Sequence, residues 1–160
     1  MIGILSDSHD NLLMIGRAVT LFRDSGCRLV IHAGDVVAPF AAKELAPLGC
    51  PVKAVFGNCD GEKEGLRAAF AAFGEIREAP LVFTEHGLRI LVCHYHFPVP
   101  DYIGRGEYDV VIFGHTHKPE IKRSQKTLII NPGETGGWVT GKATAALYDP
   151  KTHEAEIISL

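Results

Sequence analysis

Five short apolar runs in this chain each end at a polar cluster, and this repeated pattern constrains the fold more than any other feature. The runs cover residues 2–5, 29–31, 52–56, 90–93 and 110–113. Short apolar runs bounded by turn residues are typical of buried strands. In an open α/β sheet, sites assemble at the carboxyl ends of the strands. The polar clusters are therefore predicted to converge on one point.

Each polar cluster supplies side chains that commonly bind metal ions. Together the clusters hold two aspartates, four histidines and one asparagine: Asp7, His9, Asp35, Asn58, His94, His115 and His117. Seven ligands are too many for one catalytic ion that must keep an open position. They fit two ions that share one bridging carboxylate. Oxygen and imidazole donors without thiolate suit manganese, iron, zinc, cobalt or nickel.

Two of the clusters place a pair of ligands with one residue between them, namely Asp7 with His9 and His115 with His117. In an extended chain such residues point in the same direction, so each pair can face one site. The two histidines of the second pair can then serve neighbouring ions. A glycine directly precedes Asp35, Asn58 and the pair that begins at His115, which allows a sharp turn or a close approach of the backbone. Each motif alone is better explained by surface residues and ordinary turns. Those explanations do not account for all five strand ends at once.

The length and composition are those of one globular domain spanning residues 1–160. The chain is 46% hydrophobic and carries a net charge of −3, which argues against stable nucleic-acid binding. A small anionic substrate is compatible with this charge, because bound cations would dominate the local field. No run of about 18 apolar residues predicts a membrane span. The four cysteines show no disulfide spacing, so a reducing, cytoplasmic location is predicted.

The order of predicted elements indicates an α/β fold. Strands and helices alternate up to about residue 74, where a third helix is predicted to end, as in a parallel sheet covered by helices. Beyond residue 76 the chain is rich in strands, predicted at 81–84, 88–93, 109–113, 120–123, 127–131, 144–149 and 154–159. An irregular stretch at 97–107 can hold one helical turn. Two mixed sheets facing each other with helices outside satisfy this order, which predicts a four-layer α-β-β-α sandwich.

The polar clusters resemble those of the calcineurin-like metallophosphoesterase superfamily. The superfamily blocks run D-x-H, G-D, G-N-x-[DE], H and G-H-x-H. Here they stand in the same order as Asp7-Ser8-His9, Gly34-Asp35, Gly57-Asn58-Cys59-Asp60, His94 and Gly114-His115-Thr116-His117. The small form without a cap, with its G-N-C-D block, is similar to the YfcE-like phosphodiesterase branch. The resemblance runs through almost the whole chain.

The resemblance implies a ligand set for each of two ions. One ion would take Asp7, His9, Asp35 and His117; the second would take Asp35, Asn58, His94 and His115, with Asp35 as the bridge. It further implies a metal-dependent phosphoric ester hydrolase in which a metal-bridging hydroxide attacks phosphorus in line. Asp35, Asn58 and His94 are then the predicted catalytic residues. Manganese is the favoured metal, with nickel, cobalt, iron or zinc as alternatives.

Three residues beside the ligands bear on the substrate. Cys59 stands where many superfamily members carry a histidine that protonates a leaving alkoxide, and a thiol suits that role less well. The resemblance therefore implies a phosphodiesterase that prefers small diesters or activated esters to simple alkyl monoesters. Cys59 acting only as a space-filling side chain is an equal alternative. Tyr95 replaces a usual glycine and either narrows the entrance or packs outward, and His96 can reach a substrate phosphate.

Four further polar or aromatic residues keep open interpretations. His32 lies inside a strand and is expected to support the site rather than bind metal. Asp60 either hydrogen-bonds a ligand or caps the helix that follows. Trp138 is either an exposed partner contact or a core anchor. Glu134 stands where the superfamily often has serine after Asn-Pro-Gly, and no role is assigned to it.

Two other functions compete with the phosphodiesterase. The resemblance includes the small retromer subunit, a protein-binding scaffold of the same fold that is catalytically weak or inactive. Such scaffolds tend to lose metal-site residues, whereas all seven are present here. Nuclease relatives carry additional domains that hold the duplex, and this acidic chain shows none. Relatives are often dimers or larger, so a homo-oligomer is expected by analogy only.

Overall fold

The apolar runs of the N-terminal half form parallel strands separated by helices. The computed structural model describes all residues from 1 to 160. Its first half consists of β1 (Ile2–Leu5), α1 (Leu12–Asp24), β2 (Leu29–His32), α2 (Pro39–Ala42), a 3₁₀ helix (Lys43–Leu48), β3 (Val52–Val55), α3 (Lys63–Phe70) and β4 (Gly74–Arg77). This alternation confirms the predicted order up to α3.

Helix α1 shows how the sequence determines these elements. Asn11 caps the helix, because its side chain accepts a hydrogen bond from Met14 N at 3.3 Å. The apolar residues Ile15, Val19 and Phe22 recur at helical spacing and are buried against the sheet. The helix thereby holds β1 and β2 in the parallel register that brings their carboxyl ends together.

The C-terminal half consists mainly of strands. They are β5 (Leu81–Glu85), β6 (Leu88–Val92), β7 (Val110–Ile112), β8 (Glu120–Ser124), β9 (Thr127–Asn131), β10 (Thr144–Asp149) and β11 (Glu154–Ser159), with one helix, α4 (Val99–Gly104), between β6 and β7. The helical turn predicted within residues 97–107 is thus confirmed.

Two mixed sheets result from this order. The first has six strands in the order β11-β10-β1-β2-β3-β4, and the second has five in the order β5-β6-β7-β9-β8. Strands β1 to β4 run parallel, as do β6, β7 and β9. Parallel neighbours end at the same edge of a sheet, so this topology groups the loops that carry the predicted ligands.

Three apolar clusters separate four layers. Isoleucines such as Ile4 and Ile130 fill the space between the two sheets. A second cluster, with Phe22 and Phe70, lies between the six-stranded sheet and its helices. A third joins the other face of the five-stranded sheet to α4 through Val111 and Val99. The predicted four-layer α-β-β-α sandwich is confirmed. No helix has the length and apolar character needed to cross a membrane.

Strand β4 is the main departure from the predicted elements. The sequence predicts a third helix that continues to Gly74, whereas α3 ends at Phe70 and Gly74 begins a strand that pairs with β3. This strand lies at the edge of the sheet, and of its four residues only Ile76 is buried. A half-exposed edge strand carries little apolar periodicity, which explains why the sequence pattern does not reveal it.

Candidate metal centre

The carboxyl ends of five strands bring the seven predicted ligands together. Asp7 and His9 follow β1, Asp35 follows β2, Asn58 follows β3, His94 follows β6, and His115 and His117 follow β7. Ligand atoms of Asp7, Asp35 and His94 lie within 4.8 Å of one another, although these residues come from three different strands. The same is true of Asp7, His9 and His117.

One part of the site, the Asp7 side, consists of Asp7, His9 and His117. Asp7 Oδ1 lies 3.3 Å from His117 Nε2 and 3.9 Å from His9 Nε2. Asp7 Oδ2 accepts hydrogen bonds from Ser6 Oγ at 2.6 Å and from His115 N at 3.0 Å. In contrast, Asp7 Oδ1, His9 Nε2 and His117 Nδ1 are buried without a hydrogen-bond partner. Buried polar atoms without a hydrogen-bond partner are rare in folded proteins, and a bound ion is one group that can satisfy them.

The other part, the Asp35 side, consists of Asp35, Asn58 and His94. Asp35 Oδ1 accepts a hydrogen bond from Cys59 N at 2.8 Å. His94 Nδ1 donates to Ala33 O at 2.8 Å, so its Nε2 faces the site. This Nε2 lies 2.9 Å from Asn58 Oδ1 and 3.4 Å from Asp35 Oδ2. The polar atoms of this side are therefore paired with one another or with neighbouring backbone groups.

Asp35 lies between the two sides. Its Oδ2 is 3.4 Å from His94 Nε2 on one side and 3.7 Å from His9 Nε2 on the other. The residue is 1% exposed. A carboxylate in this position can contact cations on both sides, as the sequence predicts for a bridging ligand.

The two histidines after β7 lie on different sides. The ring of His117 lies 5.3 Å from that of His9, whereas the ring of His115 lies 5.1 Å from that of His94. The nitrogens of His115 belong to none of the three close groups of ligand atoms, so its placement rests on its ring position alone. The two rings lie next to different ligands, and their assignment to two different ions stays a prediction.

The backbone of the ligand loops differs from the extended geometry that we expected for the paired motifs. Asp7, His9, Asp35, His115 and His117 have positive φ values of 53°, 41°, 61°, 66° and 59°. Residues other than glycine adopt this left-handed conformation at a cost of about 1–2 kcal/mol each. Tight turns, rather than an extended chain, therefore aim the paired side chains inward, and such strain concentrates at functional sites.

Two of the glycines that precede ligands are required by close approach. A Cβ atom on Gly57 would lie 2.1 Å from Asp35 Oδ1. A Cβ atom on Gly114 would lie 1.9 Å from Ser6 Oγ and 2.7 Å from Asp7 Oδ2. Any side chain at either position would displace a ligand carboxylate or the group that holds it, which confirms the predicted role of these glycines.

The two aspartates differ in acidity although both are buried. Burial raises the pKa of Asp7, and the hydrogen bond from Ser6 does not compensate for it. Burial acts in the same direction on Asp35, but contacts with His94 and with Cys59 N outweigh it and lower the pKa of Asp35 to about 2. These surroundings therefore stabilise the charged form of Asp35 and disfavour the charged form of Asp7.

The histidines of the Asp35 side also diverge. Burial lowers the pKa of His94, but its contact with Asp35 outweighs burial and raises that pKa above the usual value. Burial and the neighbouring His94 lower the pKa of His115. A neutral His115 offers a free nitrogen, which is the form that binds a metal ion.

His32 supports the site from within β2, as the sequence predicts. Its Nδ1 accepts a hydrogen bond from Gly34 N at 3.2 Å, so Nε2 carries the proton and donates to Ser8 Oγ at 3.0 Å. Burial lowers the pKa of His32 to about 3. The ring is therefore neutral and holds the two ligand loops on either side of it.

Asp60 organises the loop that carries Asp35. Its carboxylate accepts hydrogen bonds from the backbone N–H groups of Asp35, Val37 and Gly57 at 3.0, 2.7 and 2.7 Å. The alternative role as a helix cap is wrong, because Glu62 occupies the capping position of α3. The three backbone bonds explain how the strained loop keeps its shape.

The predicted substrate-side residues line the exposed edge of the Asp35 side. Cys59 is an exposed residue at this edge. Partial burial of its sulfur, together with the nearby Asp35 carboxylate, raises the pKa of the thiol to about 11. The Tyr95 ring lies 4.9 Å from that of His115, edge-on to it. His96 stacks on His115 with ring centroids 5.8 Å apart. These side chains border the site without contacting its carboxylates, except for Cys59.

Trp138 is 65% exposed, so its interpretation as a core anchor is wrong. Its Nε1 donates a hydrogen bond to His9 O at 3.0 Å. The loop that carries it therefore rests directly on a ligand of the Asp7 side.

Glu134 and Ser6 are site residues for which the sequence predicts no role. Glu134 is fully buried and accepts hydrogen bonds from Val139 N and Thr140 N. Burial raises the pKa of Glu134, but these donors outweigh it and hold that pKa below its usual range. Its only sequence signal is the departure from serine after Asn-Pro-Gly, and Ser6 has none beyond its place at the end of β1.

The donor set fits divalent cations. A cation between Asp7 Oδ1 and His9 Nε2 would give both buried atoms the partner they lack. His94 Nε2 faces two acceptors, Asn58 Oδ1 and Asp35 Oδ2, and without a metal ion it needs a proton to bond to either. A cation beside Asp35 Oδ2 would take the place of that proton. Carboxylate, amide and imidazole ligands together suit transition-metal ions.

Known proteins of similar sequence and fold carry related names. The chain is 36% identical to Phosphodiesterase MJ0936 of Methanocaldococcus jannaschii, over 99% of this chain and 98% of that protein. A solved structure of an archaeal phosphodiesterase superposes with a TM-score of 0.95 at 36% identity and covers 99% of both chains. Phosphodiesterase YfcE of Escherichia coli K12 is 28% identical over 80% of this chain and 75% of its own length.

A protein of another name shares the fold. The structure of Vps29 from Chaetomium thermophilum matches with a TM-score of 0.72, covering 99% of this chain and 96% of that one. The identity of 16% limits this likeness to the fold.

The match to a family model connects the sequence blocks with the site. The model of the calcineurin-like phosphoesterase superfamily domain matches residues 1–153, which include all seven residues at the five strand ends. The chain therefore belongs to the calcineurin-like phosphoesterase superfamily.

Proposed function

We propose that this protein is a phosphodiesterase that uses two divalent transition-metal ions to hydrolyse small phosphodiesters. The family and the relatives named phosphodiesterase support a metal-dependent phosphoric ester hydrolase. The observation that carries the proposal is the position of Asp35 Oδ2, within 3.7 Å of a histidine nitrogen on each side of the site. One carboxylate between two sets of ligands is what a pair of cations requires.

Each ion has its own ligands in this proposal. The Asp7 side would hold one ion through Asp7, His9, Asp35 and His117; the Asp35 side would hold the other through Asp35, Asn58, His94 and His115. The distances between the carboxylate oxygens and histidine nitrogens support the first set and most of the second. Manganese is the favoured metal, with nickel, cobalt, iron or zinc as alternatives.

When bound, the two cations supply an activated water for in-line attack on phosphorus and neutralise charge on the phosphoryl oxygens. The residues of the chain provide the geometry for this chemistry. Cys59 N fixes one oxygen of Asp35, and Ala33 O fixes the ring of His94. Asp35, Asn58 and His94 are the proposed catalytic residues, because their polar atoms meet within hydrogen-bonding distance or close to it.

The surroundings of Cys59 favour diesters over monoesters. A general acid works best when its pKa lies near the working pH. The Cys59 thiol, with its pKa raised to about 11 by burial and by Asp35, gives weak help to an alkoxide leaving group. Esters with good leaving groups need no such help. Tyr95 and His96 would border the leaving group on the side of His115.

A protein-binding scaffold is the second candidate, since the chain shares the fold of Vps29. The scaffold needs no ion, yet the buried atoms Asp7 Oδ1 and His9 Nε2 lack a partner without one. This cost favours the enzyme. A cytoplasmic location, a homo-oligomer and the lack of stable nucleic-acid binding stay predictions.

Hydrolysis by reconstituted protein tests the proposal. Metal-stripped protein is loaded with Mn, Ni, Co, Zn or Mg and assayed on aryl and nucleotide diesters and on the matched monoesters. We expect activity with at least one transition metal and faster turnover of diesters. A folded protein that is inactive with every metal would support the scaffold instead.

A further inference from the structure

Glu134 is a buried carboxylate that the proposed reaction does not use. It follows the Asn131-Pro132-Gly133 turn after β9 and is 0% exposed. Its two oxygens accept hydrogen bonds from Val139 N and Thr140 N, each at 2.9 Å, and from Thr140 Oγ1 at 2.9 Å. All of these donors belong to one surface loop, residues 136–143, so Glu134 anchors this loop to the sheet.

The same carboxylate also faces a proposed metal ligand. Glu134 Oε1 lies 3.4 Å from His117 Nδ1, which is buried and has no hydrogen-bond partner. The other ring nitrogen, Nε2, lies 3.3 Å from Asp7 Oδ1. The imidazole of His117 is thus held between two carboxylates, one in the site and one behind it.

This arrangement has a chemical consequence if Nε2 binds an ion. A neutral imidazole that offers Nε2 to a metal carries its proton on Nδ1. Histidine ligands commonly donate this proton to a carboxylate or carbonyl, which fixes the ring and strengthens the metal bond. Nδ1 makes no hydrogen bond, and the Glu134 carboxylate is the charged acceptor that lies 3.4 Å from it. The 3.4 Å separation exceeds the usual N–H···O range of about 2.7–3.2 Å, so the ring and the carboxylate must approach by a few tenths of an ångström to form this bond.

We propose that Glu134 is the positioning residue for His117: it accepts the Nδ1 proton and thereby sets the affinity of the Asp7 side for its ion. The inference rests on the proposed two-metal site and extends it to a residue outside the superfamily blocks. A serine, which the superfamily resemblance leads one to expect here, is too short to reach both the ring and the loop. Trp138 Nε1, which donates to His9 O, ties the same loop to a second ligand of that side.

Metal titration of matched variants tests the assignment. Manganese binding to metal-stripped wild-type, Glu134→Gln and Thr140→Val proteins is followed by equilibrium dialysis, which resolves two binding steps. Gln keeps the size of the side chain and an oxygen for the loop but loses the carboxylate. We expect Glu134→Gln to weaken one of the two steps by about 10–100-fold and to leave the other within about twofold.

Thr140→Val is the matched control, because it removes one loop hydrogen bond to the same carboxylate and leaves the His117 contact intact. We expect both of its binding steps to stay within about twofold of wild type. Equal weakening in Thr140→Val and Glu134→Gln would assign Glu134 to loop anchoring and overturn the proposal. Glu134→Asp, which keeps a shorter carboxylate, should recover part of the affinity.

A spectroscopic readout does not depend on a variant that folds. In zinc-loaded wild-type protein, the His117 Nδ1 proton should give a slowly exchanging, downfield NMR signal typical of a hydrogen bond to a carboxylate. Failure to observe a proton on Nδ1 in zinc-loaded protein would overturn the inference. Wild-type protein that binds no ion at all would overturn the proposed function as well. Two ions bound with equal affinity in wild type and Glu134→Gln would overturn this inference alone.

Discussion

The two buried aspartates of the site lie in opposite surroundings. Asp35 has partners for both oxygens, namely Cys59 N at 2.8 Å and the His94 ring at 3.4 Å. Asp7 has partners for one oxygen only, and its Oδ1 is buried without any. Accordingly, the contacts of Asp35 lower its pKa to about 2, whereas burial raises the pKa of Asp7.

This difference separates what the fold supplies from what a cation must supply. The Asp35 side satisfies its polar atoms with neighbouring side chains and backbone groups, so it can form without an ion. The Asp7 side leaves the buried atoms Asp7 Oδ1 and His9 Nε2 unsatisfied, so it is complete only when a cation is present. Substitutions on the two sides should therefore differ in which property they change, metal content or stability, as well as in the size of the change.

The largest effect is expected for Asp35→Asn. Asparagine keeps the acceptor for Cys59 N but loses the charge that both proposed ions share. We expect the loss of both ions and a fall in diester hydrolysis of about a thousandfold or more. Metal content by mass spectrometry and initial rates on one diester measure the outcome. Asp7→Asn is the matched variant and should retain one ion.

A different result would break the comparison. If Asp35→Asn kept two ions, or if Asp7→Asn also lost both, Asp35 would not be the carboxylate that joins the two sides. An Asp35→Asn rate within about tenfold of wild type would speak equally against its catalytic role.

The position of the site could be predicted from the sequence because strands terminate at recognisable signals. Apolar runs that end at Asp7, Asp35 and His94 indicate buried strands, and parallel strands end at a common edge. The local backbone could not be predicted. Five ligands adopt left-handed φ values that depend on tertiary support, such as the three backbone hydrogen bonds to Asp60.

Contacts between side chains that are far apart in sequence could not be predicted either. Glu134 lies 17 residues after His117 in sequence, and only the folded sheet brings them within 3.4 Å. Likewise, β4 is missing from the predicted elements because its short edge strand buries one side chain, Ile76. Residues whose role depends on long-range contacts carry no periodic signal.

The second effect concerns the stability that depends on the buried His32. Burial lowers the pKa of His32 from 6.5 to about 3. Below pH 6.5, His32 therefore binds a proton in the unfolded chain but stays neutral in the folded chain. Because protons bind preferentially to the unfolded state, the stability falls as the pH falls. We expect a loss of roughly 3 kcal/mol in the free energy of unfolding between pH 6.5 and about pH 4. Urea denaturation at several pH values measures it.

His32→Asn provides the control for this pH dependence. The Asn Oδ1 atom can still accept the hydrogen bond from Gly34 N, but the side chain does not titrate. The variant should be less stable at neutral pH and should lose stability less steeply on acidification. The same slope in variant and wild type would mean that another group causes the acid sensitivity.

The third effect compares the two aspartates in metal-free protein at neutral pH. The folded-state pKa of Asp35 lies below that of the unfolded chain, so its charge contributes stability that is present above pH 3.8 and is lost as the pH falls towards 2. Asp35→Asn should therefore lower the free energy of unfolding by about 2 kcal/mol. Asp7, with a raised pKa, opposes folding when charged, so Asp7→Asn should raise the melting temperature.

Calorimetry of the two stripped variants measures these opposite shifts. With saturating manganese, Asp7→Asn should instead melt at a lower temperature than wild type, because the Asp7 charge of wild type then has a partner. Equal destabilisation by both substitutions without metal would show that the two aspartates do not differ as the structure indicates.

The smallest effect concerns substrate choice at the edge of the Asp35 side. Cys59 contacts Asp35 through its backbone, and its thiol, with a pKa raised to about 11 by burial and by Asp35, is a weak proton donor. Cys59→His would place an imidazole with a pKa near neutrality beside the leaving group. We expect the rate on alkyl monoesters to rise about tenfold relative to the rate on diesters. Cys59→Ala is the control, since it removes the thiol without adding an acid and should leave the ratio close to wild type. An unchanged ratio in Cys59→His would assign the cysteine to packing alone, and the preference for diesters would then have to come from the aromatic edge at Tyr95.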